Sequence, residues 1–294
     1  MATDTHAAGL EAEEPKPHEM DEAEEAQVED RSGLSSRLLY EIIRREGEEE
    51  LARTNRSLFW AGVGAGILIS FSVVGEAVLR TYLPDADWSY LIENIGYSFG
   101  FLLVILGRMQ LFTENTITTV LPFMVRPCRS IAWAIARLWS LVLFANVVGA
   151  FAAAGFMVAG GLPADFLPAI EELSRHATGF GASEGFVRGV PAGILVAAIV
   201  WMIPQAGNSK FWVIVFFTWL IAAGDFTHII AGSVEMAYLV LLGELGAWPA
   251  IGGFFLPVLA GNVVGGTVIF ALMAWGQVKD DLSEENRQRV GTDC

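Results

Sequence analysis

Six long apolar runs, at roughly 57–80, 91–121, 130–160, 186–206, 211–243 and 251–277, decide which architectures are open to this chain. A helix crosses the hydrocarbon core of a bilayer with about 20 mostly apolar residues, and every run reaches that length. Soluble domains carry more charge and fewer such runs. Here 53% of residues are hydrophobic, 17% are charged and the mean hydropathy is +0.48. The chain reads as an all-α membrane protein with six spans.

The formal net charge of −15 is concentrated ahead of the first span, in "EAEEPKPHEMDEAEEAQVED". That stretch is acidic and nearly free of aromatics, too poor in apolar surface to fold, and it reads as a solvated, disordered tail. "RLLYEIIRREGEEELAR" (37–53) follows, with Leu38, Leu39, Ile42 and Ile43 on one helical face and charges opposite. It is too charged to span and reads as a helix at the membrane surface. Basic residues cluster beside alternate connections: Arg44, Arg45, Arg53 and Arg56, then Arg126 and Arg129, Lys210, and finally Lys279, Arg287 and Arg289. By the excess of Lys and Arg in cytoplasmic loops, both termini face the cytoplasm, which six spans require. Trp60, Trp88, Trp201, Trp248 and Trp275 fall near expected helix ends, as interfacial aromatics do. Two isolated cysteines, Cys128 and Cys294, form neither a disulfide framework nor a zinc site.

"NVVG" occurs twice, at 146–149 and 262–265, an offset of 262 − 146 = 116. "FTEN" begins at Phe112 and "FTHI" at Phe226, an offset of 226 − 112 = 114. The second and fifth runs are interrupted, at "LFTENTITT" (111–119) and "AAGDFTHIIAG" (222–232). Each half then holds an intact helix, a broken helix and a helix carrying Asn-Val-Val-Gly. Three spans are odd, so the second half is upside down relative to the first. Inverted repeats with broken helices at matching positions point to a transport pathway at the repeat interface. Unwound backbone in a bilayer survives only where protein buries it or water reaches it. The half-helix N-termini aim partial positive charge at the gap. Asn146 and Asn262 are expected to brace the broken segments through side-chain hydrogen bonds. Gly62, Gly66 and Ser70, like Gly261 and Gly265, have the small-residue spacing of close helix packing.

"LFTENT" (111–116), "NVVGAF" (146–151), "GDFTHIIA" (224–231) and "GNVVGG" (261–266), in that order, resemble the formate/nitrite transporter family over about residues 35–278. The resemblance implies an aquaporin-like six-transmembrane-helix protomer with inverted three-helix repeats and two broken helices, assembled as a homopentamer in the plasma (inner) membrane. It implies passage of small monovalent anions through each protomer. By motif, His228 matches the central pore histidine and Thr113 the threonine on the first break. Leu111, Phe112 and Ile221 match apolar constrictions. A carboxylate is costly to hold as an ion in a dry centre, and protonation, from His228 or through water, would let it cross as the neutral acid. The domains expected are the tail at 1–33, an amphipathic cytoplasmic helix at 34–56, the channel domain at 57–278 and a cytoplasmic tail at 279–294.

Three departures from the family pattern mark a distinct branch with an FTENT motif. The lysine expected near Gly181 is missing from "HATGFGASEGF" (176–186), Ala197 stands where an asparagine is common, and Gly232 replaces another. Glu114, Asp225 and Glu235 add carboxylates, so the same fold conducting a cation or a small neutral solute is the alternative. Glu76, Arg108, Glu114, Arg137, Asp225, His228 and Glu235 lie in or near spans, where ionisable groups are functional candidates. Arg108 pairing with Glu114 or Asp225 is one structural option. "GASEG" (181–185) formally matches a nucleophile elbow at Ser183, but lies in a loop without the strand–turn–helix setting, so no enzyme is expected. No nucleotide-binding loop, metal-ligand cluster or cofactor motif stands out, and neither does a nucleic-acid partner; the partners expected are the transported ion, lipid and further copies of the chain.

Overall fold

The computed structural model describes the backbone of residues 33–289 and the side chains of residues 33–280. The tail expected over 1–33 lies outside these residues but for Gly33, and Cys294 also lies outside them. Helix α1 (Ser36–Ala52) starts where the Ser35 hydroxyl accepts a bond from the Leu38 amide, 3.2 Å. Its apolar face buries Leu39, Tyr40 and Ile43. On the polar side, hydrogen bonds from the Arg44 guanidinium, with Arg45 beside it, hold the Glu41 carboxyl down at about 2. The chain breaks at Arg53 and restarts with Thr54 as the next cap.

The membrane part comprises α2 (Asn55–Tyr82), α3 (Ser89–Leu106), α4 (Phe112–Thr118), α5 (Val120–Val125), α6 (Arg129–Val158), α7 (Leu167–Thr178), α8 (Ala182–Gln205), α9 (Lys210–Ala223), α10 (Ile229–Leu242) and α11 (Pro249–Asp280). Five of these, α2, α3, α6, α8 and α11, are each long and apolar enough to cross a membrane. The sixth pass is made by α9 and α10 together. Helix α11 contains two π-helical stretches, Pro249–Phe255 and Val264–Ala271. It continues to Arg289, so the boundary expected at 278 coincides with no helix end. Helix α7 lies in the connection between the third and fourth apolar runs. Its starting Pro168 and its Arg175 and His176 in the last turn are helix start and stop signals.

Both breaks are built alike, and they correct the register of the repeat. Helix α3 ends at Leu106 and α9 at Ala223, each with a glycine followed by a residue in the left-handed region: Arg108 (φ 50°) and Asp225 (φ 56°). In each, the next amide reaches back five residues, Met109 to the Val104 carbonyl (3.0 Å) and Phe226 to the Ile221 carbonyl (2.9 Å). These are Schellman-type caps. Arg108 matches Asp225, and 225 − 108 = 117. The "FTEN"/"FTHI" match, at 114, is therefore three residues out of structural register, and the equivalent of His228 is Leu111. The "LFTENT" motif begins on Leu111, the last residue of the first break (107–111), and its remaining residues form the first turns of α4.

The two halves pack by one rule. Helix α2 lies on α6, and α8 on α11, backbone against backbone. A Cβ on Gly66 would collide with the Asn146 carbonyl, and one on Gly193 with the Asn262 carbonyl. The main core gathers Phe101, Leu111, Phe112, Ile221 and Val234 around the breaks. A smaller cluster joins Tyr40 and Ile43 of α1 to Ala197, Ala271 and Val278, which places α1 and the end of α11 on one face of the molecule.

Candidate functional site

Asn146 and Asn262 lie fully buried beside the breaks. The Asn146 side chain accepts from the Phe112 amide (2.9 Å) and donates to the carbonyls of Gly62 (2.9 Å) and Gln110 (2.8 Å). The Asn262 side chain accepts from the Ile229 amide (2.8 Å) and donates to the carbonyls of Gly189 and Thr227 (both 2.9 Å). One carboxamide thus replaces, in each half, helix hydrogen bonds lost to the break. It also ties the broken pass to the neighbouring intact helix. An amide or carbonyl left unpaired there is expensive, because the membrane offers no water to replace the partner.

These braces bring the first turns of α4 and α10 together. Thr113 Oγ1 lies 2.8 Å from His228 Nε2, and both residues are buried. His228 Nδ1 accepts from the Ala231 amide (3.3 Å), so the ring caps its own helix. An amide only donates; hence Nδ1 is bare, and Nε2 carries the proton of the neutral ring and donates to Thr113. Thr113 in turn lies one turn from Thr116, whose hydroxyl donates to the Thr113 carbonyl (2.7 Å). The Phe101 ring stands edge-on to the imidazole, centroids 5.0 Å apart. Leu111 and Ile221 are fully buried and Phe112 is 2% exposed, packed edge-on against Trp139.

On the face opposite α1, a cavity of about 160 Å³ reaches down to His228, with Glu76, Tyr97, Thr227 and Glu235 in its wall. Glu76 and Glu235 are 5% and 8% exposed, and no hydrogen bond or ion pair engages either carboxyl among the described residues. The mouth is different. Arg188 binds Asp225 at 2.6 Å and lies over the Phe180 ring, His176 Nε2 sits 2.8 Å from the same carboxylate, and Arg80 binds Glu93 at 2.7 Å. Positive charge is therefore present although the lysine expected near Gly181 is not, but each guanidinium is committed to a carboxylate.

The structure corrects one pairing. Arg108 is exposed on its turn and makes no ion pair among the described residues, because the left-handed turn places it at the surface end of α3. Asp225 binds Arg188 and His176 instead. Glu114 stands in the first turn of α4 with Oε1 buried and unpartnered. Gln110, absent from the residues singled out by sequence, binds Glu50 of α1 (2.8 Å) and so ties α1 to the first break. Arg137 donates to the Leu51 carbonyl (2.7 Å) at the C-terminus of α1, where carbonyls lack helical partners. At Gly232 a Cβ would sit 2.5 Å from the tip of the Phe254 ring, so a larger side chain there requires that ring to move.

Two inverted three-span halves, each broken and braced at the same depth, with the breaks meeting at a polar pair below a cavity, define a multi-pass membrane transport protein. Residues 37–276 match the family model described as Formate/nitrite transporter, and the chain belongs to that family. It is 41% identical over 267 residues to the "Inner membrane protein YfdC" of Escherichia coli (strain K12), covering 88% of this chain and 84% of that one. It is 24% identical to the "Formate channel FocA" of the same strain, over 74% of this chain and 85% of that one. A solved "Pentameric formate channel with formate bound", 22% identical, superposes with a TM-score of 0.67 over 76% of this chain and 98% of that chain.

Proposed function

We propose that the chain conducts small monovalent anions of the formate or nitrite kind through each protomer of a homopentamer. The observation that carries this reading is the Thr113–His228 contact between the two half-helix starts at the floor of a cavity. Two helix N-termini aimed at one point favour negative charge there. The Nε2–H group offers a donor, and the apolar residues Leu111, Phe112 and Ile221 hold back hydrated ions. The anion passes His228 as the neutral acid, since a charge in this surrounding is expensive. The distribution of Lys and Arg supports cytoplasmic termini and the inner membrane.

Labelled formate uptake into proteoliposomes tests this. Uptake that rises on acidification and disappears in His228→Ala supports the reading. The unpartnered carboxyls of Glu76, Glu114 and Glu235 favour a second reading, passage of a cation or a small neutral solute. Potassium or ammonium flux that depends on Glu114, without formate flux, would establish it in place of the first.

A further inference from the structure

The two nitrogens of His228 are both engaged: Nδ1 caps α10 and Nε2 donates to Thr113. A second proton on the ring must sit on Nδ1, where it displaces the Ala231 amide and breaks the cap. His228 is thus poorly placed to supply the proton that the proposed passage as a neutral acid requires. The cavity above it contains five carboxyl side chains against one guanidinium, Arg80. Three of the five are already paired at the mouth: Glu93 and Glu172 with Arg80, and Asp225 with Arg188 and His176. The remaining two, Glu76 on α2 and Glu235 on α10, are more than nine-tenths buried, line the cavity and have no hydrogen-bond partner.

We propose that Glu76 and Glu235 are the proton-loading pair of the pathway: one of them, as the carboxylic acid, gives its proton to the incoming anion before that anion reaches His228. This rests on the anion reading above. The step balances. The O–H bond of the glutamic acid breaks, an O–H bond forms on a weak-acid anion such as a carboxylate, and the glutamate is left as the carboxylate. Vestibule water then returns the proton from the acidic side. Arg80, one helical turn from Glu76, lies near enough to steady the negative charge left behind. The Tyr90 and Tyr97 hydroxyls and the Asp225–His176 pair are the other titratable groups facing the cavity from α3, the second break and α7, beside the paired Glu93 and Glu172. The second carboxyl makes the transfer reversible between two acceptors, so either residue alone sustains part of it.

The test is formate uptake into proteoliposomes of the full chain from about pH 5 to about pH 8, with a pH-sensitive dye inside. Glu76→Gln, Glu235→Gln and the double variant are compared, with Glu76→Gln/Glu235→Asp as the rescue. Thermal unfolding in detergent shows that each variant folds. The expected result is a modest loss in each single variant, a loss of about tenfold or more in the double variant, and recovery in the rescue. The proton influx that accompanies formate falls in parallel. A folded double variant that keeps uptake and its pH profile overturns the proposal while leaving the anion reading intact. Uptake that rises in the double variant overturns it too, since the carboxyls would then only repel the anion. Wild-type vesicles with no anion flux at any pH overturn both readings.

Discussion

Thr113 and His228 come from runs 115 residues apart and meet through one 2.8 Å contact. If that contact orients the imidazole, Thr113→Val lowers formate uptake by about tenfold to a hundredfold, the value of one buried hydrogen bond to a functional group, and Thr113→Ser restores most of it. Asn146 and Asn262 act on stability instead. Each makes three buried hydrogen bonds to a break, so Asn146→Ala and Asn262→Ala each leave several backbone groups unpaired. The expected loss is ~2–5 kcal/mol in each. Because the two sets of bonds match, the two variants should unfold at similar temperatures in detergent. A large inequality would show that one break is held by something else. His228 was legible as a motif residue, but its role as its own helix cap was not, because capping depends on the rotamer. Arg108 illustrates the opposite failure: charge and proximity in sequence suggested a partner, and a left-handed turn placed it at the surface.

The helices repeat one design in each half: a Schellman cap, a few unwound residues, an Asn brace and a close glycine crossing. Gly66→Ala and Gly193→Ala test the crossing. In each the new methyl meets a backbone carbonyl that cannot swing away, so overpacking of ~1–3 kcal/mol is expected, read as a lowered unfolding temperature. Helix α1 allows a pH test. Glu41 has an ordinary value of 4.5 and is held at about 2 in the folded protein. A lowered value means its stabilisation is complete above pH 4.5 and is lost as the pH falls towards 2. The group is half-buried at the protein surface, and solvent screening limits the effect to roughly a few tenths of a kcal/mol. Glu41→Gln should therefore melt slightly below the wild type at neutral pH, and the gap should close on acidification. Apolar periodicity places helices well but is blind to the exact residue where one ends. That is why the first break was expected at 111–119 and lies at 107–111, and why "FTEN" and "FTHI" were matched three residues out of register.

The whole molecule wears a broad apolar surface. Trp248, Trp133 and Trp212 are 80%, 76% and 68% exposed in the isolated chain. A surface of this kind is normal only against lipid or another copy of the chain. If the proposed pentamer forms, part of this surface is covered by neighbouring protomers. Native mass spectrometry from mild detergent should then give five chains, and substitution of one exposed tryptophan at the protomer boundary with Lys should release monomers. A monomer that still conducts would show that each protomer is complete without its neighbours.

By itself the sequence determined that the chain lies in a membrane, that it crosses six times and that its halves are inverted copies, and it singled out the two repeated asparagines. These follow from composition, span parity and a four-residue repeat, all of which survive without knowing any contact. Only the tertiary structure decided the register of the repeat, the partners of Asp225 and Arg108, the tautomer of His228 and the unpaired state of Glu76 and Glu235. Each of these depends on distances of about 3 Å between residues far apart in the chain, where a single turn of backbone changes which groups meet.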